Sequence, residues 1–214
     1  MACAAATIAG CTAILGIDKD YGDLPGGAGG GAATANGGSV PGSGAPATAT
    51  WPMYSGTTIV LGAMTTGAVS ATSATLTGLV AQDVANGAAR FDVPTDIWNA
   101  ETGRNADRYV QFTVPVTSGT FALDTISVRA GSGGGSYMLW DIVYSLSPDL
   151  SSPTALGTAL SGVKDTLVTN SYSRLGVNIS AGQTLYLRVY PYDSTTTLGK
   201  SLMLANVVVS GVTH

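Results

Sequence analysis

The stretch Leu185-Tyr186-Leu187-Arg188-Val189-Tyr190 carries the most suggestive chemistry in the chain. In an extended strand, neighbouring side chains point to opposite faces. Leu185, Leu187 and Val189 therefore face a core, and Tyr186, Arg188 and Tyr190 share the other side. Tyrosine rings stack on the C–H faces of sugars. An arginine donates in a rigid fork to hydroxyls, or bidentately to a carboxylate. Gln111, outward from Val110 and Phe112, joins this face if its strand lies in the same sheet, and so does Arg129, outward from Ile126 and Val128. Tyr192, Asp193 and Lys200 lie around the following turn and are expected to form a rim. Trp98, in the loop after Pro94, is either a stacking platform or a lid over the core. The alternative for Tyr-Arg-Tyr is a packing ladder with a cation–π contact.

A second group, Asp96, Glu101 and Asp107, sits in one loop-like stretch with Arg104 and Arg108. It reads as loop charges making caps, turns and an ion pair. The other reading is a Ca2+ site built on Glu101 and Asp107, whose hard oxygen ligands suit that ion. No further cofactor is expected. The single histidine, His214, is the last residue, and no cysteine follows Cys11. Ser-His-Asp and Cys-His catalysis both need a base fixed by surrounding structure, so neither is expected. Gly131 to Ser136 lacks the Lys-Ser/Thr and helix that a phosphate loop requires, and reads as a turn.

The elements that position these residues follow from composition and periodicity. The 214 residues are 10% charged, with 29 Gly and a net charge of -4. Long solvated helices want more Glu, Lys and Leu, and nucleic-acid binding needs clustered basic residues. From Trp51 onward, apolar residues alternate in short runs between Gly, Ser and Thr turns. The runs are Tyr109–Val114, Phe121–Arg129, Tyr137–Leu146, Arg174–Ile179, Leu185–Tyr190 and Leu202–Ser210, with weaker candidates at Thr58–Leu61, Val69–Ser70 and Thr75–Leu79. Asp149–Leu160 reads as a helical turn or a loop. This predicts an all-β, antiparallel β-sandwich, jelly-roll-like, over residues 51–214. Residues 25–50 are nearly all Gly, Ala, Pro, Ser, Thr and Asn, and read as a flexible tether. Residues 1–24 read as a signal remnant and spacer. Within them, Ile8-Ala9-Gly10-Cys11 matches a lipobox, so acylation of Cys11 is expected.

Several ordered blocks carry a family resemblance. They are Ala100-Glu101-Thr102 with Asn105 to Phe112, Asp124 to Val128, Val143 to Leu150, and Gly182 to Tyr192 followed by Gly199 to Val207. Together they resemble a β-sandwich accessory module appended to secreted bacterial polysaccharide lyases of the pectate-lyase type, here without the lyase domain. The resemblance implies a noncatalytic module that binds or presents polysaccharide. With the lipobox, it points to an outer-membrane lipoprotein on the cell surface. Contact with the membrane would be through the lipid alone, and no nucleic acid is expected. A structural or adhesive surface protein, using the sandwich for protein contacts or self-association, is the alternative. An enzyme with an unrecognised site is a further one.

Overall fold

The computed structural model describes residues 44–135 and 138–214. Seventeen short strands follow one another. They are β1 (Ala45–Trp51), β2 (Met53–Ser55), β3 (Thr58–Val60), β4 (Met64–Thr66), β5 (Thr75–Thr77), β6 (Val80–Ala85), β7 (Ala88–Asp92), β8 (Ile97–Trp98) and β9 (Tyr109–Pro115). Then come β10 (Thr120–Gly133), β11 (Leu139–Ser145), β12 (Thr154–Ser161), β13 (Leu167–Tyr172), β14 (Val177–Ser180), β15 (Thr184–Tyr192), β16 (Thr197–Leu198) and β17 (Ser201–Thr213).

They form the antiparallel β-sandwich that the alternation predicts. One sheet runs β13-β10-β17-β1-β4, with β14 on β10 and the β6–β7 hairpin on β17. The other runs β12-β11-β15-β9-β5. The core is the layer between them. Ala47, Ala49, Trp51, Phe121, Ile126, Val128, Val207 and Val209 come from the first sheet. Phe112, Val114, Trp140, Ile142, Leu185, Leu187 and Val189 come from the second. Trp51 meets Phe112 across the layer edge-to-face, with ring centroids 5.1 Å apart. That geometry suits the ring quadrupoles. The Trp51 indole N–H donates to the Thr72 carbonyl at 2.8 Å, so its one polar group is not stranded.

The two longest strands, β10 and β17, pair along almost their whole length. Each carries one extra residue. Leu123 faces Gly211, but Thr125 faces Ser210, so Asp124 bulges out. Arg129 faces Asn206, but Ala130 faces Leu204, so Ala205 is the extra residue on the partner. A bulge inserts an unpaired residue without sending the rest of the strand to the wrong face. That is why Phe121 and Leu123 share the core with Ile126 and Val128, although their sequence parity differs.

Two expectations need correction. β1 begins at Ala45, so residues 45–50, assigned to the tether, are a paired strand of the sandwich. Their small Ala and Thr side chains carry no strand signal alone; the valine-rich β17 beside them supplies the partner. The helical turn allowed in Asp149–Leu160 is absent, because Thr154–Ser161 forms edge strand β12 against β11. Residues 25–43 and Cys11 lie outside the described residues.

Phe112 is fully buried at the sheet-to-sheet contact. Phe112→Ala is expected to cost about 3–5 kcal/mol, from lost transfer energy and the cavity left behind. Urea denaturation of the two proteins checks this; a change below about 1 kcal/mol would mean that the layer collapses around the gap.

Candidate functional site

The outer face of the five-stranded sheet brings together much of the chemistry read from the strand alternation. Register places Arg188 of β15 between Gln111 of β9 and Val143 of β11. The Arg188 guanidinium is held from several sides. Its Nε donates to Gln111 Oε1 at 2.7 Å, one terminal nitrogen to the Tyr190 hydroxyl at 3.1 Å, and the other to the Pro148 carbonyl at 2.9 Å. It also lies 4.0 Å above the Tyr109 ring. Tyr109 and Tyr190 meet with centroids 5.4 Å apart. Tyr186, half-buried, packs with Tyr109 against Tyr190, Val143 and Leu150.

Tyr190 is only 5% exposed, so it supports the arginine rather than offering an open stacking face. Tyr-Arg-Tyr is thus a packing ladder with a cation–π contact. It also borders a cleft of about 290 Å³, whose lining includes Arg104, Asp149, Leu150, Pro153, Arg188 and Tyr190. Arg104 is exposed and reaches over the Tyr190 ring, 5.5 Å from its centroid. Asp149 belongs to the same lining. Its Oδ1 accepts from the Ser147 hydroxyl at 2.6 Å and from the Ser151 amide at 3.0 Å. The Ser147 hydroxyl, and then the Ser151 amide, hold its carboxyl below the usual range, so it is ionised at neutral pH.

Four candidate residues fall elsewhere. Arg129 is exposed, but β10 belongs to the other sheet, so it cannot join Arg188. Trp98 is fully buried; its indole donates to the Lys200 carbonyl at 2.8 Å, which makes it the lid and not the platform. Tyr192 is buried, and its hydroxyl is directed to Asp141. Lys200 is buried against Asp193 with Nζ to Oδ2 at 2.7 Å, so neither residue forms a rim.

The acidic loop is a clamp. Glu101 accepts from Arg108 at 2.8 Å and from Asn105 at 3.3 Å, and its amide donates to the Asp193 carbonyl at 2.8 Å. Arg108 stacks on Trp98 at 5.0 Å. Asp107 is exposed, and its amide caps the Asn105 side chain. Glu101 is therefore spent on an arginine, and no group of three metal-ligating side chains occurs among the described residues. Asp193 anchors the far end of this clamp. Burial pushes its pKa up, but the Lys200 ammonium and the Thr197 and Thr195 hydroxyls outweigh burial and bring it below the usual carboxylate range. This assembly fixes the loop that carries Arg104.

Tyr109 and Arg104 complete the cleft. Tyr109 is visible to alternation, since it stands two residues before Gln111 on the same strand face. Arg104 is not, because only the folded loop brings it to Tyr190. A larger groove of about 670 Å³ lies on the other sheet, near Pro46, Thr48, Ala122 and Val212. It is mostly apolar, with Asp124, Arg174 and Ser210 also in its lining.

No family model matches this chain, and no curated protein matches it. Among solved structures it is similar to a family two carbohydrate esterase from Cellvibrio japonicus, at 9% identity and a TM-score of 0.31, over 68% of this chain and 34% of that one. It is also similar to an isomalto-dextranase from Arthrobacter globiformis T6 complexed with panose, at 12% identity and a TM-score of 0.30, over 56% of this chain and 18% of that one. The chain thus matches about a third of the first and under a fifth of the second. Likeness at this level carries no information on ligand or reaction.

Two outcomes are expected. Removing one partner of a buried ion pair leaves the other charge stranded. Asp193→Ala should therefore cost about 3–5 kcal/mol by urea denaturation, while a cost near zero would show Lys200 reaching solvent. The second concerns Asp92, at the end of β7 and fully buried. Burial, with Asp96 nearby, pushes its pKa up to about 6, from 3.8. A raised folded-state pKa means that the fold prefers the neutral acid. Its contribution is complete below about pH 4 and is lost as pH rises towards 6. Asp92→Asn should have the higher urea midpoint at pH 7.5, with the advantage gone at pH 4; a pH-independent difference would contradict this.

Proposed function

We propose that the sandwich is a noncatalytic carbohydrate-binding module, with a polysaccharide as its ligand. The observation that carries this reading is the outer face of the five-stranded sheet. There Arg104 and Arg188, backed by Tyr109 and Tyr190, border an open cleft with neither arginine ion-paired among the described residues. Arg188 is braced by three acceptors, so ordering it for a ligand has little further entropic cost. The ordered blocks that resemble pectate-lyase accessory modules support the same reading, because Val143 to Leu150 and Gly182 to Tyr192 include much of this face.

Display on the cell surface belongs to the proposal and rests on Ile8-Ala9-Gly10-Cys11. In that reading a diacylated Cys11 becomes the first residue of an outer-membrane lipoprotein. Intact-mass analysis of natively produced protein should then show acyl chains and loss of residues 1–10; an unacylated chain retaining Met1 overturns the anchor.

Binding is tested by affinity electrophoresis through gels containing neutral or acidic polysaccharides. Retardation is expected in at least one gel, and Arg188→Ala should weaken it tenfold or more. A thermal melt of that variant separates lost binding from lost packing. Turnover of any polymer would instead point to an enzyme. No retardation across a broad panel, accompanied by self-association, would favour a structural or adhesive protein.

A further inference from the structure

Resting on that reading of the face, we infer that the Arg104–Arg188 cleft selects sugars bearing a carboxylate, with uronic acid residues as its ligand class. Three observations combine.

The first is unspent positive charge. Arg90, Arg108 and Lys200 each have a carboxylate within ion-pair distance; Arg104, Arg129, Lys164, Arg174 and Arg188 have none among the described residues, and Arg104 and Arg188 border one cleft together. Of the five N–H donors on a guanidinium, Arg188 commits three within the protein, one from each nitrogen. Each terminal nitrogen therefore keeps one N–H. Arg104 has no hydrogen-bond partner among the described residues. A planar carboxylate matches such donors in geometry as well as charge.

The second is Asp149. An ionised carboxylate in the same lining accepts hydrogen bonds from sugar hydroxyls. It also penalises dense polyanions, as does the net charge of -4. One carboxylate per sugar, surrounded by hydroxyls, suits a lining of two arginines and one carboxylate; closely spaced sulfates or phosphates do not.

The third is size and rigidity. About 290 Å³ lies at the lower edge of ligand pockets, whose range is about 300–1,000 Å³, and suits one sugar residue of a chain. The wall is set in place by Leu150, whose backbone is held at φ 53 with its side chain buried against Val143 and Tyr190. A left-handed leucine is costly, and such conformations gather where a loop must present groups in one fixed geometry. Here the same loop brings the Pro148 carbonyl to Arg188 and Asp149 to the cleft.

The test compares the full chain on polygalacturonate and hyaluronan with the carboxyl-reduced form of each, by affinity electrophoresis and titration calorimetry. Dextran sulfate is the polyanion control. The carboxylated polymers should bind at least tenfold more tightly than their reduced forms, and more tightly than dextran sulfate. Arg104 is exposed, so Arg104→Ala should leave the melting temperature unchanged while losing at least tenfold in affinity for the carboxylated polymers. Arg104→Lys should recover only part of that loss. Equal affinity for carboxylated and reduced forms overturns the inference while leaving glycan binding standing. So does unchanged affinity of Arg104→Ala, or tighter binding of dextran sulfate. No binding to any polymer overturns the glycan reading itself, and this inference with it.

Discussion

Burial of the apolar layer between the two sheets is the interaction on which everything else depends, because the chain has little else to hold it together. Among the described residues there are only three ion pairs, and one of them, Arg90 with Asp83, is largely exposed. Exposed pairs contribute roughly 0–1 kcal/mol each. The large buried rings, Trp51, Phe112, Phe121 and Trp140, supply the area that fixes sheet separation and register. Once that layer is set, alternation decides what appears on the outer faces.

The two outer faces are then used differently. On the eight-stranded sheet the outward positions include half-buried Thr48, Ser127 and Ser210, with exposed Arg129 at one side. On the five-stranded sheet, loops fold back over the strands, and Val143, Tyr190 and Leu150 form a second small apolar cluster. This partial burial lowers the local dielectric around Arg188 and strengthens its hydrogen bonds. The clamp of Asp193, Lys200, Trp98, Arg108 and Glu101 serves the same face from farther away. It spends buried charge on holding a loop and leaves Arg104 on the exposed side of that loop.

Much of this was legible in the residues alone. Period-two alternation carried the class of fold, the inward set on β15 and β9, and the shared face of Tyr186, Arg188, Tyr190 and Gln111. It failed where small residues form strands. Ala45–Trp51 has no pattern of its own and is recruited by β17, while the edge strand Thr154–Ser161 lies beside two prolines that argue for a loop. Sheet membership was also invisible, since outward on β10 and outward on β15 are opposite sides of the molecule; Arg129 was misplaced for that reason. Tyr192 and Lys200 look like surface groups around a turn, and Trp98 reads equally as platform or lid. Their burial depends on tertiary pairings that alternation does not carry, such as the Trp98 indole with the Lys200 carbonyl and the Tyr192 hydroxyl with Asp141.

The two bulges on the long central pair have a consequence for how such a chain can change. Asp124 lengthens β10 by one residue and Ala205 lengthens β17 by one. The additions offset each other: Phe121 opposite Thr213 and Gly133 opposite Ser201 enclose equal numbers of residues on both strands. Losing either addition alone would leave one strand short of the other, and would pull β13 and β14 on one side out of level with β1 and β7 on the other. Insertions and deletions at these two points are therefore tied together, although about eighty positions of sequence separate them. In a lineage of such sandwiches, the two would be gained or lost as a couple.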